Sequence, residues 1–158
     1  MDCQTLVNFK FKKLNDSWNA EPNVPNPRTE IQGEDVLLRF VVNPFIFHEF
    51  EREDVGILRF RRAERYRLGS PDDVGWYRGR CRFSKLLPRW GEFYEVQGEP
   101  ALMELPTDWH VLGPHSDDSR HFLFYFRDDT FECVAEQCTI EPTRENSLHR
   151  LGKMIPGS

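Results

Sequence analysis

The fold is indicated most clearly by the stretch His121-Phe122-Leu123-Phe124-Tyr125-Phe126-Arg127-Asp128-Asp129-Thr130-Phe131-Glu132-Cys133. Its three alternate phenylalanines share one face of an extended strand, because successive side chains of a strand point to opposite sides of the sheet. The pair Asp128-Asp129 is typical of a short turn between two strands. We therefore predict an antiparallel hairpin whose strands cover residues 121–127 and 130–136.

Strand patterns continue on the N-terminal side of this hairpin. Alternating or β-branched apolar residues predict further strands at 6–14, 35–43, 55–68, 76–83, 92–97 and 109–112. The segment 15–28 is a predicted loop, because its three prolines disfavour both a helix and a central strand. Segment 55–68 reads as one long strand or a hairpin, with a bulge at Ala63 or Glu64, and a short helix is the lesser alternative. Residues 45–50 are expected to continue the strand 35–43 after a bend.

The number and spacing of these strands predict a mainly β chain built as one domain. A chain of 158 residues falls in the usual size range of a single domain. Some eight short strands with turns between them favour an antiparallel barrel or sandwich over residues 1–142. Apolar residues thin out after that point, so residues 143–158 are expected to be a loosely held tail with at most one short helical turn.

Composition favours a cytoplasmic protein without a membrane-spanning helix. Hydrophobic residues make up 39% of the chain and charged residues 30%, and no apolar run approaches the roughly 20 residues of a membrane-spanning helix. The N-terminus has neither a basic stretch nor an apolar run of signal-peptide length. Four cysteines at uneven spacing do not suit a disulfide framework. Cys133 lies in an apolar strand pattern and is predicted to be a core residue rather than a nucleophile.

Three segments resemble a group of small uncharacterised bacterial proteins. The likeness is carried by the turn Leu68-Gly69-Ser70-Pro71-Asp72-Asp73, by Gly91-Glu92-Phe93-Tyr94-Glu95-Val96 and above all by the stretch from Arg120 to Cys133. It covers about half the chain, residues 66–135. The resemblance implies a bacterial origin and a shared fold, and it transfers no catalytic residue. Some similar small bacterial proteins neutralise toxins.

Charge is distributed unevenly along the chain. Segment 56–90 holds ten Arg and Lys against three Asp and Glu, a charge of +7. Because the net charge of the chain is -5, the remaining residues carry a charge of -12. The candidate anion- or partner-binding residues of this segment are Arg59, Arg61, Arg65, Arg67, Arg78, Arg80, Arg82, Trp76 and Tyr77. Arginine suits bidentate contacts with carboxylate or phosphate and stacks on aromatic rings. The alternative is that acidic residues on neighbouring strands pair with these arginines.

A second candidate site is rich in histidine. His110, His115 and His121 lie within fourteen residues together with Asp108, Asp117 and Asp118. Imidazole and carboxylate groups are ligands for zinc and other divalent metals. The spacing matches no standard metal motif, so the alternative is a polar loop between two strands.

These features lead to three functional hypotheses, and none of them assigns a catalytic residue. The first is a non-catalytic bacterial domain that binds another protein, in a toxin-neutralising, immunity-like role, with no cofactor. The second is a metal-dependent hydrolase or ligand-binding barrel that uses the three histidines and a divalent metal. The third is weak binding of single-stranded nucleic acid through the arginines, which the acidic remainder of the chain disfavours. The absence of common enzyme motifs favours the first.

Overall fold

A computed structural model describes residues 10–16, 18–44, 50–69, 91–98, 108–126 and 129–141. Within these residues the regular structure is entirely β, as predicted. The eight strands are β1 (Lys10–Lys13), β2 (Arg28–Gln32), β3 (Asp35–Val41), β4 (Val55–Gly69), β5 (Phe93–Gln97), β6 (His110–Val111), β7 (Arg120–Tyr125) and β8 (Thr130–Glu141). They form one antiparallel sheet in the order β1-β5-β7-β8-β4-β3-β2, and β6 pairs with the C-terminal half of β4. The prediction of a mainly β, single-domain antiparallel chain is confirmed. No helix that is long and apolar enough to cross a membrane is found among these residues.

The predicted hairpin is the β7–β8 pair. Phe124 lies opposite Phe131 in the register, and the backbone N–H of Phe126 donates to the carbonyl of Asp129 across the turn at 2.9 Å. The three alternate phenylalanines of the hairpin all lie in the buried core. β8 continues to Glu141, beyond the predicted end at residue 136, because it also pairs with the whole length of β4.

The sheet curls around an aromatic core. The rings of Phe40 on β3 and Phe124 on β7 lie 4.9 Å apart, although three strand spacings separate these strands, about 14 Å in a flat sheet. The concave face is filled by Trp18, whose ring lies 5.5 Å from Phe40 and 6.3 Å from Phe93. The folded-over sheet therefore encloses its own core.

The long strand β4 carries the predicted bulge. Its register with β8 shifts between Ala63 and Arg65, so Glu64 is the extra residue. Arg62, just before it, has a φ of 51°, and such local distortion is typical of bulges. The bulge leaves Ala63 in the core and places Arg65 and Arg67 on the outer, convex face of the sheet.

Strand β2 was not predicted, because residues 28–32 contain a single large apolar residue, Ile31. The strand forms at the end of the sheet through pairing with β3. A two-residue turn, Gly33-Glu34, joins Gln32 to its partner Asp35. Gly33 has a φ of 62°, as the first position of a type II′ hairpin turn requires.

The other sequence predictions fall partly on described residues. The predicted strands 92–97 and 109–112 correspond to β5 and β6, and the described part of the predicted strand 6–14 contains β1. Outside the described residues lie 1–9, the possible continuation at 45–49, the turn at 70–73, the predicted strand 76–83 and the tail 143–158.

Candidate functional site

A network of charged side chains is buried on the convex face where β4, β8 and β7 lie side by side. Glu132 of β8 has no exposed surface. One of its oxygens, Oε2, accepts a hydrogen bond from Arg67 Nη1 at 3.2 Å, and the other, Oε1, lies 2.6 Å from Nε2 of His121. The strand register causes this meeting, because Arg67 is directly opposite Glu132 and His121 is opposite the next residue on the same face, Val134. A buried carboxylate requires such partners to offset the loss of hydration.

Asp108 extends this network to the surface. Its two carboxylate oxygens accept hydrogen bonds from Nε and Nη2 of Arg67 at 2.7 and 3.1 Å, and its side chain is 55% exposed. The hydrogen bond from Arg67 lowers the pKa of Asp108 below its usual value, against a smaller opposing effect of burial. Burial alone would lower the pKa of Arg67, but the bond to Asp108 and the charge of Glu132 raise it overall. We define Arg67, Asp108, His121 and Glu132 as the charge network.

Aromatic contacts fix β6 onto β4 beside the charge network. The guanidinium of Arg65 lies 4.8 Å above the ring of Trp109, whose indole also meets His121 edge-on at 5.8 Å. One residue further, His110 stacks on Tyr66 with ring centroids 5.0 Å apart. Strand β6 is only two residues long, and these contacts and the Arg67–Asp108 pair help to position it, together with the backbone hydrogen bonds that follow it from Leu112 and Gly113 to Glu64.

The arginines singled out from the sequence do not form one basic surface in the described residues. Arg59 pairs with Asp35 at 2.9 Å, Arg65 lies 3.7 Å from Glu64, and Arg67 belongs to the charge network. Arg61 is exposed. The pairs Arg59–Asp35 and Arg67–Glu132 join neighbouring strands, as in the alternative in which acidic residues across the sheet pair with the arginines. Outside the described residues lie Trp76, Tyr77, Arg78, Arg80 and Arg82.

The three histidines of the predicted metal site have separate partners. His110 stacks on Tyr66, His115 Nδ1 lies 3.2 Å from Glu64 Oε1, and His121 meets Glu132. Among the residues that the structure describes, no group of three or more His, Cys, Asp or Glu is arranged to hold a metal ion. Metal binding stays a prediction, and this part of the chain adds no argument for it.

The two described cysteines are part of the packing. Cys133 and Cys138 are buried free thiols in the core cluster. Burial raises the pKa of both thiols well above the usual value, which suppresses the reactive thiolate. The interpretation of Cys133 as a core residue is confirmed.

Sequence reasoning missed the central residue of the network, Glu132. The available signal was a single carboxylate in the otherwise apolar run Phe131-Glu132-Cys133-Val134-Ala135. Such an isolated charge in a buried strand predicts a buried partner. Its identity depends on the β4–β8 register, which the bulge at Glu64 shifts by one residue.

The exposed apolar side chains of the described residues are concentrated at two strands that border the sheet. Four such side chains are exposed by more than a third of their surface. Ile31 lies on β2 and Val24 precedes this strand in the sequence, while Val111 lies on β6 and Leu112 follows it directly. Val111 is the most exposed, at 72%. Apolar side chains along the edge of a sheet favour the addition of another strand.

Comparisons with protein-family models, with curated proteins and with solved structures find no match for this chain.

Proposed function

We propose that this chain is a non-catalytic protein-interaction domain that binds an extended segment of a partner protein along the outer edge of β6. The exposed Val111 in the middle of this edge is the observation that carries the proposal. Strand addition combines backbone hydrogen bonds with contacts of alternate side chains, and so it requires an accessible edge with an apolar residue.

The backbone of β6 has the direction that strand addition needs. Leu112 N–H donates to the carbonyl of Glu64 at 2.9 Å, so residue 112 faces β4 with its hydrogen-bonding groups. These groups alternate in direction along an antiparallel strand. The N–H and C=O of Val111 therefore point away from β4, toward the side where a partner strand would lie.

The charge network orders this edge in the unbound chain. Asp108, at the start of β6, is held by two hydrogen bonds to the buried Arg67, and Trp109 lies between Arg65 and His121. An edge that is already ordered loses less conformational entropy on binding. The network thus acts as an anchor for the binding strand rather than as reacting groups.

Charge near β6 favours a basic partner. Asp117 and Asp118, in the loop after β6, are exposed, and the whole chain carries a net charge of -5. Complementary charge speeds association and selects among partners. We propose a toxin-neutralising role in the bacterial cytoplasm as the specific form of this function, supported by the resemblance to small bacterial proteins and by the two buried free thiols.

A photo-crosslinking amino acid at position 111 tests the proposal in cells. We expect it to capture one protein through an extended segment, while the same group at the exposed position 53 does not. With that protein purified, Val111→Asp should weaken binding at least about tenfold, since a charge in a desolvated interface centre is costly. Glu53→Lys serves as the control and should leave the affinity unchanged. Equal capture at both positions, or equal affinity of the Val111→Asp variant, would contradict the proposal.

A further inference from the structure

We propose that a second copy of this chain pairs with β2, edge to edge and antiparallel, about a two-fold axis through Ile31. This surface is separate from β6, because β2 pairs with β3 at one end of the described strand order, whereas β6 pairs with β4. Ile31 is 49% exposed, and β2 has four exposed residues out of five. Pairing of identical edges is the simplest closed form of self-association.

The hairpin turn determines which groups of β2 face outward. A two-residue turn closes at the pair Gln32 and Asp35, and the pair that flanks such a turn is hydrogen-bonded between the strands. Hydrogen-bonded and non-bonded pairs alternate from there. Thr29 and Ile31 therefore direct their N–H and C=O groups away from β3, toward a neighbouring molecule.

Three two-fold registers bring these outward groups together, and two of them carry a defect. An axis through Thr29 places Ile31 opposite Pro27, which has no N–H to donate. An axis through Glu30 places the two Glu30 side chains in a close pair of like charge, which is destabilising. The first register therefore lacks a backbone hydrogen bond, and the second brings two like charges together.

The axis through Ile31 has neither defect. It places Ile31 against its own copy and Glu30 opposite Gln32, and it brings Arg28 to the hairpin turn of the second molecule, where the long side chains of Arg28 and Glu34 can reach each other. Arg28 and Glu34 are both exposed, so the pairing forms two symmetric contacts of opposite charge. An apolar centre flanked by ion pairs is the arrangement typical of specific interfaces. Only five residues of each edge take part, so the dimer should be of the weak, transient class.

Charge reversal tests both the pairing and its register. In sedimentation velocity runs over a wide range of protein concentration, Arg28→Glu and Glu34→Arg should each weaken self-association about tenfold, because two cross-strand pairs become repulsive. The double variant Arg28→Glu/Glu34→Arg should restore the wild-type association constant to within about a factor of two. Glu53→Arg changes the charge by the same amount as Glu34→Arg at an exposed site outside β2. It is the matched control and should have no effect on self-association.

Three results would overturn the proposal. The first is that the chain stays monomeric at every concentration, and the second is that the double variant associates as weakly as the single variants. The third is that Arg28→Glu/Glu30→Arg restores self-association instead, which would indicate the register about Thr29. Thermal unfolding of each variant checks that the fold is intact. Val111→Asp should leave self-association unchanged, so this test is independent of partner binding at β6.

Discussion

The two halves of β4 lie beside arginine pairs in opposite surroundings on the same convex face of the sheet. The N-terminal half, with Arg59, lies next to β3, where Arg39 pairs with Glu30 at 3.0 Å and about half of each side chain is exposed to water. In the C-terminal half, beyond the bulge, Arg67 pairs with the buried Glu132 at 3.2 Å. The exposed fraction of the side chain is 45% for Arg39 and 4% for Arg67. An arginine–carboxylate pair of similar length therefore lies at the surface beside the N-terminal half of β4 and in the interior beside the C-terminal half.

The difference teaches that burial, and not the distance between charges, sets the cost of losing a partner. Water rehydrates an exposed charge when its partner is removed, so exposed pairs contribute little to stability. A buried carboxylate has no such compensation, and the loss of its guanidinium partner leaves Glu132 in the interior with the His121 contact but without the charge of Arg67. The chain thus depends on Arg67 far more than on Arg39, although both pairs have nearly equal lengths.

The largest expected effect is that of Arg67→Met. This change leaves Glu132 buried without its guanidinium and frees Asp108 from its two hydrogen bonds. We expect the free energy of unfolding to fall by about 3–5 kcal/mol, measured by urea denaturation at neutral pH. The β6 edge should also loosen, which hydrogen exchange of residues 108–112 would detect.

The double variant Arg67→Met/Glu132→Leu is the control for this prediction. Removing both charges exchanges the ion pair for apolar side chains, and such exchanges are often close to neutral. The double variant should therefore be more stable than Arg67→Met alone. If the two variants unfold at the same urea concentration, the loss arises from packing of the Arg67 side chain and not from the loss of its charge beside Glu132.

A smaller effect is expected for Asp108→Asn, with a defined dependence on pH. The pKa of Asp108 is lowered in the folded state by Arg67, so its stabilisation is complete above the unfolded pKa of about 4. It is lost as the pH falls through the lower folded pKa. Because the carboxylate is largely exposed, the variant should lose no more than about 1 kcal/mol at neutral pH. The difference from wild type should disappear in acid.

Urea unfolding of both proteins from neutral pH to about pH 3 measures this difference. Asp118→Asn, at an exposed position of the loop after β6, is the matched control. A difference between wild type and Asp108→Asn that stays constant into acid would show that the aspartate contributes by shape and not by charge.

The sequence was sufficient for the strands that carry alternating apolar residues. The β7–β8 hairpin followed from an alternating pattern, because burial on one face imposes a period of two. The strand β3 followed from a run rich in Val, Leu and Phe, which is typical of a strand buried on both faces, and the bulge in β4 also followed from the local sequence. Strand β2 lacks this pattern, as only Ile31 among its residues is large and apolar. Its structure depends on pairing with β3 and on the turn at Gly33, which are contacts between segments.

The charge network could be predicted only in part, for a similar reason. Arg67, Asp108 and His121 each stood out as candidates, but as members of two different sites. Their meeting depends on the strand order and on the β4–β8 register, in which one extra residue decides whether Arg67 or its neighbour faces Glu132. Patterns within a strand show which residues share a face and leave open which residues lie opposite.

The smallest expected effect is that of Arg39→Met, at the exposed end of the comparison. About half of each side chain in the pair with Glu30 is exposed to water, so the loss of this pair should lower the free energy of unfolding by less than about 0.5 kcal/mol. Arg59→Met, whose pair with Asp35 is 19% exposed on both sides, should fall between Arg39→Met and Arg67→Met. Urea denaturation of the three variants under one set of conditions gives the order directly. Equal losses at Arg39 and Arg67 would mean that the interior of the sheet tolerates the loss of a guanidinium partner as well as water does, and the distinction between the two halves of β4 would no longer hold.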